Sequence, residues 1–284
     1  VLEQMLREDH SFDSGRMEVK SELKRLLHLE AFGTEPSPEL VLVTAVGRLG
    51  AQKNLELVAD ITEETFALDP DVKIVVLASA PEGEGEGEET EAAFYELARR
   101  FENRFYFRSE FSLPISKLIL AGGDFCLIPS RFEPCGLVDY EASLLGTLVI
   151  GRRTGGLAKV NQFAYLYDWL DIGDRKGEAA AFLEQIKIAL DVYRNYPGSH
   201  RVMVEKAMNI DAGWRKSAAQ YLRIYRYGML VKQWEKERLT LDYNVQEVAR
   251  RLALEEPLFA TLFSPVWGGE LDLELESELK SLRP

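Results

Sequence analysis

Phe125-Cys126-Leu127-Ile128, then Pro129-Ser130-Arg131-Phe132-Glu133-Pro134-Cys135-Gly136-Leu137, then an apolar-patterned run over 138–145 reads as strand, turn and helix start. A turn built on proline and glycine at the head of a helix leaves backbone N–H groups free to meet an anion. Glu133 stands in the same turn. Free N–H groups beside a carboxylate suit a ligand with phosphate at one end and hydroxyls at the other, which is the outline of a nucleotide sugar.

Moving outward, the same unit repeats. Leu40 to Val46 is an unbroken apolar and β-branched run, the pattern of a strand buried on both faces. Helical spacing follows at 55–68, a second buried strand at 72–77, a helix at 90–101 and a short strand at 104–107. A helix at 115–121, the strand at 125–128, the helix at 138–145 and a strand at 147–150 complete the series. Alternation of this kind predicts the α/β class, with a Rossmann-like, doubly wound parallel sheet. Ligands of such sheets bind beyond the carboxyl ends of the strands, where residues 129–137 fall.

Residues 1–39 read as a leading segment with one helix near 20–27, ended by Glu35-Pro36-Ser37-Pro38. Residues 40–228 form the α/β domain, with later helices at 180–193 and 214–227. Residues 229–284 read as a helical and acidic extension. The Gly/Glu run from Pro81 to Thr90 reads as a solvated flexible loop.

The chain has 284 residues, 46% hydrophobic, and a formal net charge of −13. No basic stretch stands against that acidity, so nucleic acid is not an expected partner. The longest apolar runs fall short of a membrane span. Two cysteines, Cys126 and Cys135, are too few for a disulfide framework and suggest a reducing, cytoplasmic or plastid-like compartment. The N-terminus is not a signal peptide and lacks Met, which suggests a part of something longer.

Two more strand ends carry candidate chemistry. After the first strand comes Gly47-Arg48-Leu49-Gly50-Ala51-Gln52-Lys53, where an arginine and a lysine five apart could clamp a diphosphate. Read alone, this is also what a solvated basic turn looks like, and it is neither a P-loop nor a dinucleotide glycine turn. After the strand at 147–150 comes Gly151-Arg152-Arg153-Thr154-Gly155-Gly156-Leu157, whose paired glycines admit close approach of backbone to a ligand. Within the opening unit, Glu141 lies eight residues after Glu133. Two such carboxylates could hold a sugar ring and a ribose through vicinal hydroxyls, or could simply complement a helix dipole.

Taken together, residues 129–137, Arg152 to Leu157 and Arg48-Leu49 with Gln52-Lys53 resemble bacterial glycogen synthase and plant starch synthase, over roughly residues 20–228. These are retaining glucosyltransferases of the two-domain GT-B fold, and the resemblance is to their C-terminal, nucleotide-sugar-binding half. It implies ADP-glucose or UDP-glucose as donor and an α-glucan as acceptor. No metal or further cofactor is implied. By position, Arg48 and Lys53 would neutralise the leaving diphosphate and Glu133 would hold glucose hydroxyls. Backbone N–H groups of Cys135, Gly136, Leu137 and Val138 would bind sugar and phosphate oxygens. Phe111 stands where the family stacks an aromatic residue on the base, and Thr154 and Gly155 would line the cleft. Trp214 and Tyr221 resemble the closing helix of the domain.

The chain departs from the pattern at Asn54, where the family has glycine; asparagine tolerates the left-handed backbone region better than most residues, so the turn is expected to survive. It departs again at Glu141, which resembles the paired glutamates of other retaining GT-B transferases, α-1,3-glucan synthases and trehalose- or sucrose-forming enzymes among the alternatives. A non-catalytic transferase-like module is a further alternative. His10, His28 and His200 match no catalytic position of the family, and its acceptor-side motifs are absent.

Overall fold

A computed structural model describes residues 14–81, 85–171 and 173–238. Six strands, β1 (Val41–Arg48), β2 (Val72–Ser79), β3 (Phe105–Arg108), β4 (Phe125–Ile128), β5 (Leu148–Arg152) and β6 (Tyr165–Tyr167), form one sheet in the order β3-β2-β1-β4-β5-β6. Every pairing is parallel. The helices are α1 (Ser14–Phe32), α2 (Glu56–Leu68), α3 (Gly85–Arg100), α4 (Leu113–Gly122), α5 (Val138–Leu144), α6 (Arg175–Asn195), α7 (Pro197–Met208) and α8 (Trp214–Arg238), with a 3₁₀ turn at Gly155–Val160.

Side chains of a strand alternate between faces, so each strand feeds two cores. Val41, Val43, Ile74, Val76, Phe125, Leu127, Leu148 and Ile150 join α2, α3, α6 and α7 through residues such as Ile61, Phe94, Phe182 and Val204. On the opposite face Leu42, Val75 and Leu77 meet Leu27 of α1 and Ile119 of α4. Cys126, Ile128 and Val149 meet Ala142 of α5 and Leu157 of the 3₁₀ turn there as well. The sheet is therefore doubly wound, as expected. Each fully buried phenylalanine, such as Phe94, Phe125 or Phe182, contributes roughly 2–3 kcal/mol of transfer free energy.

The strand order reverses between β1 and β4. Their ladder holds only Val43 against Phe125 and Thr44 against Cys126. Beyond those two pairs β1 runs on to Arg48 beside β2 and β4 to Ile128 beside β5, no longer paired with each other, at the topological switch point where such sheets hold a ligand crevice.

Three expectations need correction. The Gly/Glu run is not all loop: α3 starts at Gly85. Glu86 and Glu88 lie in its first turn, where the helix dipole favours acids, and Glu91 accepts a 3.1 Å bond from the Ala80 N–H. Residues 82–84 lie outside the described residues. The short strand β6 and the helix α7 were not foreseen, and α1 is longer than residues 20–27 suggested.

By internal contacts the chain divides into two units, 1–212 and 213–284. All six strands and α1–α7 belong to the first. In the second, α8 exposes Trp214, Tyr221, Leu222, Ile224, Tyr225 and Met229. The expected extension beyond 238 lies outside the described residues. Among the described residues no helix is long and apolar enough to cross a membrane.

Candidate functional site

The crevice is floored by two interlocked turns. The first follows β1: Leu49 donates to Ser79 O (2.8 Å) and its side chain is buried, while Lys53 and Asn54 both donate to Gly50 O (2.9 and 3.3 Å). Closing so tight a loop demands one left-handed residue. Asn54 supplies it with φ +54°, the only positive φ outside glycine among the described residues. Its side-chain amide donates to Pro129 O (3.2 Å), so the residue that shapes the first turn also grips the second. Two more bonds join the turns, from the Arg131 N–H to Gln52 O (2.9 Å) and from Gln52 Nε2 to Phe132 O (3.0 Å).

This lock brings Lys53 to Glu133. Nζ lies 2.6 Å from Oε2, and Ser130 Oγ donates to the same oxygen at 3.1 Å. Glu133 is buried, at 7% exposure, whereas Lys53 is half-buried. Arg48, at the end of β1, is exposed and has no ion-pair or hydrogen-bond partner among the described residues. A buried, oriented carboxylate and a lysine shared with it thus meet in the turns beyond β1 and β4, and the unpaired Arg48 stands at the end of β1.

The third loop closes over the second. Gly156 N–H donates to Glu133 O (2.7 Å), and Thr154 Oγ1 to Arg131 O (3.3 Å). Gly155 has φ +46°, and a Cβ there would fall 2.2 Å from Glu133 O. A Cβ on Gly156 would fall 1.8 Å from Cys135 O. The paired glycines thus let the two loops lie backbone against backbone. Around the turn, the N–H groups of Cys135, Gly136, Leu137 and Val138 have no acceptor among the described residues.

The remaining expected residues are placed as follows. Glu141 is exposed on α5, without a side-chain partner among the described residues. Phe111 is 66% exposed beyond the end of β3, at the sheet edge two strands from β1. Cys135 is an exposed free thiol; Cys126 is buried beneath the turns, and burial pushes its thiol up to about 12. Arg152 is consumed structurally, pairing with Glu178 (3.3 Å) and donating to Trp169 O (2.7 Å). His28 and His200 are packing residues on the opposite end and flank of the domain: His28 accepts from Lys73 and donates to Thr34 O, while His200 meets Tyr193 edge to face. His10 lies outside the described residues.

Sequence reasoning passed over Asp139 and Lys159. Asp139 is fully buried behind the turn and pairs with Lys159 at 2.8 Å. Lys159 also donates to Cys135 O and to Gly136 O (2.6 Å). Twenty residues separate the two, and no spacing rule links a residue of one helix to a residue of a later loop.

Known proteins are similar to this chain over about three quarters of its length. The chain is 32% identical over 218 residues to a glycogen synthase of Thermotoga petrophila, covering 76% of this chain and 43% of that protein. It is 33% identical over 213 residues to glycogen synthase 1 of Methylococcus capsulatus (73% and 41%). This chain belongs to the glycogen and starch synthase family. A plant relative, the chloroplastic/amyloplastic soluble starch synthase 1 of Solanum tuberosum, is 29% identical over 227 residues (76% and 33%). Among solved structures, the catalytic domain of starch synthase IV from Arabidopsis thaliana, bound to ADP and acarbose, superposes with a TM-score of 0.64 at 25% identity. That match covers 77% of this chain and 44% of the other. No family model matches the chain. The chain spans less than half the length of these relatives.

Proposed function

We propose that the chain is the donor-binding half of a retaining glucosyltransferase that moves glucose from ADP-glucose or UDP-glucose to an α-glucan. The acceptor groove then lies in a part of the enzyme outside these 284 residues. The observation that carries this reading is the pairing of Lys53 with the buried Glu133 in the interlocked turns after β1 and β4, with Arg48 unpaired at the end of β1.

The chemistry follows from the arrangement. Cleaving the sugar–phosphate bond builds negative charge on the leaving diphosphate and positive charge on the sugar ring. An exposed, unpaired Arg48 is free to take two phosphate oxygens in a fork, and Lys53 has donors left after its bond to Glu133. Charges fixed in advance beside a developing anion are commonly the largest catalytic term. Glu133, held by Lys53 and Ser130, presents its carboxylate to ring hydroxyls without rotating away. The unpaired N–H groups of residues 135–138 offer further donors to sugar and phosphate oxygens. The relative with bound ADP supports a nucleotide ligand for this fold.

Glu141 favours a second reading, a retaining transferase of another product such as an α-1,3-glucan synthase, in which the second carboxylate holds the ribose. A donor and acceptor screen on the intact enzyme separates the two. In that enzyme Arg48→Ala is expected to lower turnover by at least a hundredfold, about 3 kcal/mol of lost transition-state stabilisation. Unchanged turnover removes the phosphate role. Calorimetric titration of the chain with ADP, UDP and their glucose esters tests binding directly; no heat with any of them would leave a non-catalytic module as the better reading.

A further inference from the structure

Lys159 reaches two successive carbonyls of the Glu133 turn, those of Cys135 and Gly136. These peptides are trans, as are all described peptide bonds. In a trans peptide the N–H points opposite to the C=O. Drawing both carbonyls to one ammonium therefore turns the N–H groups of Gly136 and Leu137 the other way, side by side and without acceptors among the described residues. Gly136 makes this possible with φ +71°. A Cβ there would strike Asp139 Oδ1 at 2.7 Å and Lys159 Nζ at 3.1 Å, so the pair packs directly against the glycine. The ammonium also rests over the Tyr140 ring, 4.2 Å from its centroid. Asp139, with no exposed surface, fixes the lysine from behind.

We propose that Lys159, anchored by Asp139, is a positioning residue that presets the Gly136 and Leu137 N–H groups to receive oxygens of the glucosyl diphosphate. This rests on the donor-site reading above. The lysine touches no ligand. It aims the two peptides, and its charge polarises them so that their N–H groups bind an anionic oxygen more strongly.

The test uses the chain labelled with ¹⁵N-glycine and ¹⁵N-leucine and titrated with ADP, UDP and their glucose esters. With the productive ligand the Gly136 and Leu137 amide signals should move strongly downfield. Lys159→Met alone strands a buried carboxylate, so the variant of choice is the neutral double change Asp139→Asn with Lys159→Met. It should remain folded, bind the same ligand at least tenfold more weakly and lose the downfield shifts. Lys159→Arg should keep affinity within about threefold of the wild type, since a guanidinium also donates to two carbonyls. Three results overturn the proposal: amide signals that stay put at ligand saturation, a folded double variant of unchanged affinity, or a double variant that binds weakly with its shifts intact. If the wild-type chain binds none of the four ligands, the donor-site reading fails and the positioning role falls with it. Binding without the amide shifts leaves the donor site standing and removes the positioning role alone.

Discussion

Asn54 shows how much one residue can reveal. Its place in the sequence, where relatives of the resembled family carry glycine, already implied a left-handed turn, and φ is +54°. Asparagine then does what glycine cannot by bonding Pro129 O. Asn54→Gly should therefore stay within about 1 kcal/mol of wild type, trading a side-chain bond for relief of strain. Asn54→Val should cost about 2 kcal/mol or more, because a β-branched residue resists positive φ and brings no donor. Chemical denaturation of both variants checks this, and equal losses would show that packing rather than backbone geometry governs the position. The placement of Arg48, Lys53, Glu133 and the Gly155-Gly156 pair was legible for a similar reason: each sits at or just beyond the end of a strand that the apolar runs marked. Asp139 and Lys159 were not, because their partnership depends on how two loops stack after folding, and no spacing rule reports that.

Helices and strands were legible where periodicity was strong, and lost where it was weak. β6 has three residues, too few to show a pattern, and α7 is opened by Pro197-Gly198 and carries only a weak apolar stripe. The α3 start was hidden by its glycines, of which Gly87 serves packing: a Cβ there would fall 2.3 Å from Leu49 O. Between elements, Lys20 of α1 is the least expected link. Its buried ammonium donates to Ala121 O (3.1 Å), Gly123 O (2.7 Å), Leu145 O (3.3 Å) and Thr147 Oγ1 (3.0 Å). These atoms cluster at the C-terminal ends of α4 and α5, whose unpaired carbonyls and negative dipole ends a cation satisfies. The helix that carries the site turn is thus pinned from its far end. Lys20→Met should destabilise the domain by about 3 kcal/mol, through orphaned carbonyls. Burial lowers the Lys20 pKa from 10.5 to about 8, against the raising effect of Asp124. Between those values the unfolded chain binds more protons than the folded one. This group's contribution to stability is therefore fully present above pH 10.5 and is lost as pH falls toward 8. Unfolding measured from pH 8 to 10.5 should show this rising component in the wild type and not in Lys20→Met; identical slopes would place the ammonium in contact with water.

At the scale of the molecule, the candidate site follows from one topological fact, the reversal of strand order between β1 and β4. That reversal ends the β1/β4 ladder after two residue pairs and lets the turns after β1, β4 and β5 converge. The alternation of strand and helix was enough to foresee a doubly wound sheet and its ligand edge, but not the pairing order. Every group of the proposed donor site, from Arg48 to Lys159, lies in the unit of residues 1–212. So do the helices that cover both faces of the sheet. A chain ending at residue 212 should then fold with its thermal midpoint within a few degrees of the full chain and bind the same nucleotide within about threefold. Such a change in Kd corresponds to less than 1 kcal/mol. Both measurements are needed, because each fails differently. A lowered midpoint would mean that residues 213–284 complete the core. A held midpoint with lost binding would mean that nucleotide binding needs more of the chain than residues 1–212.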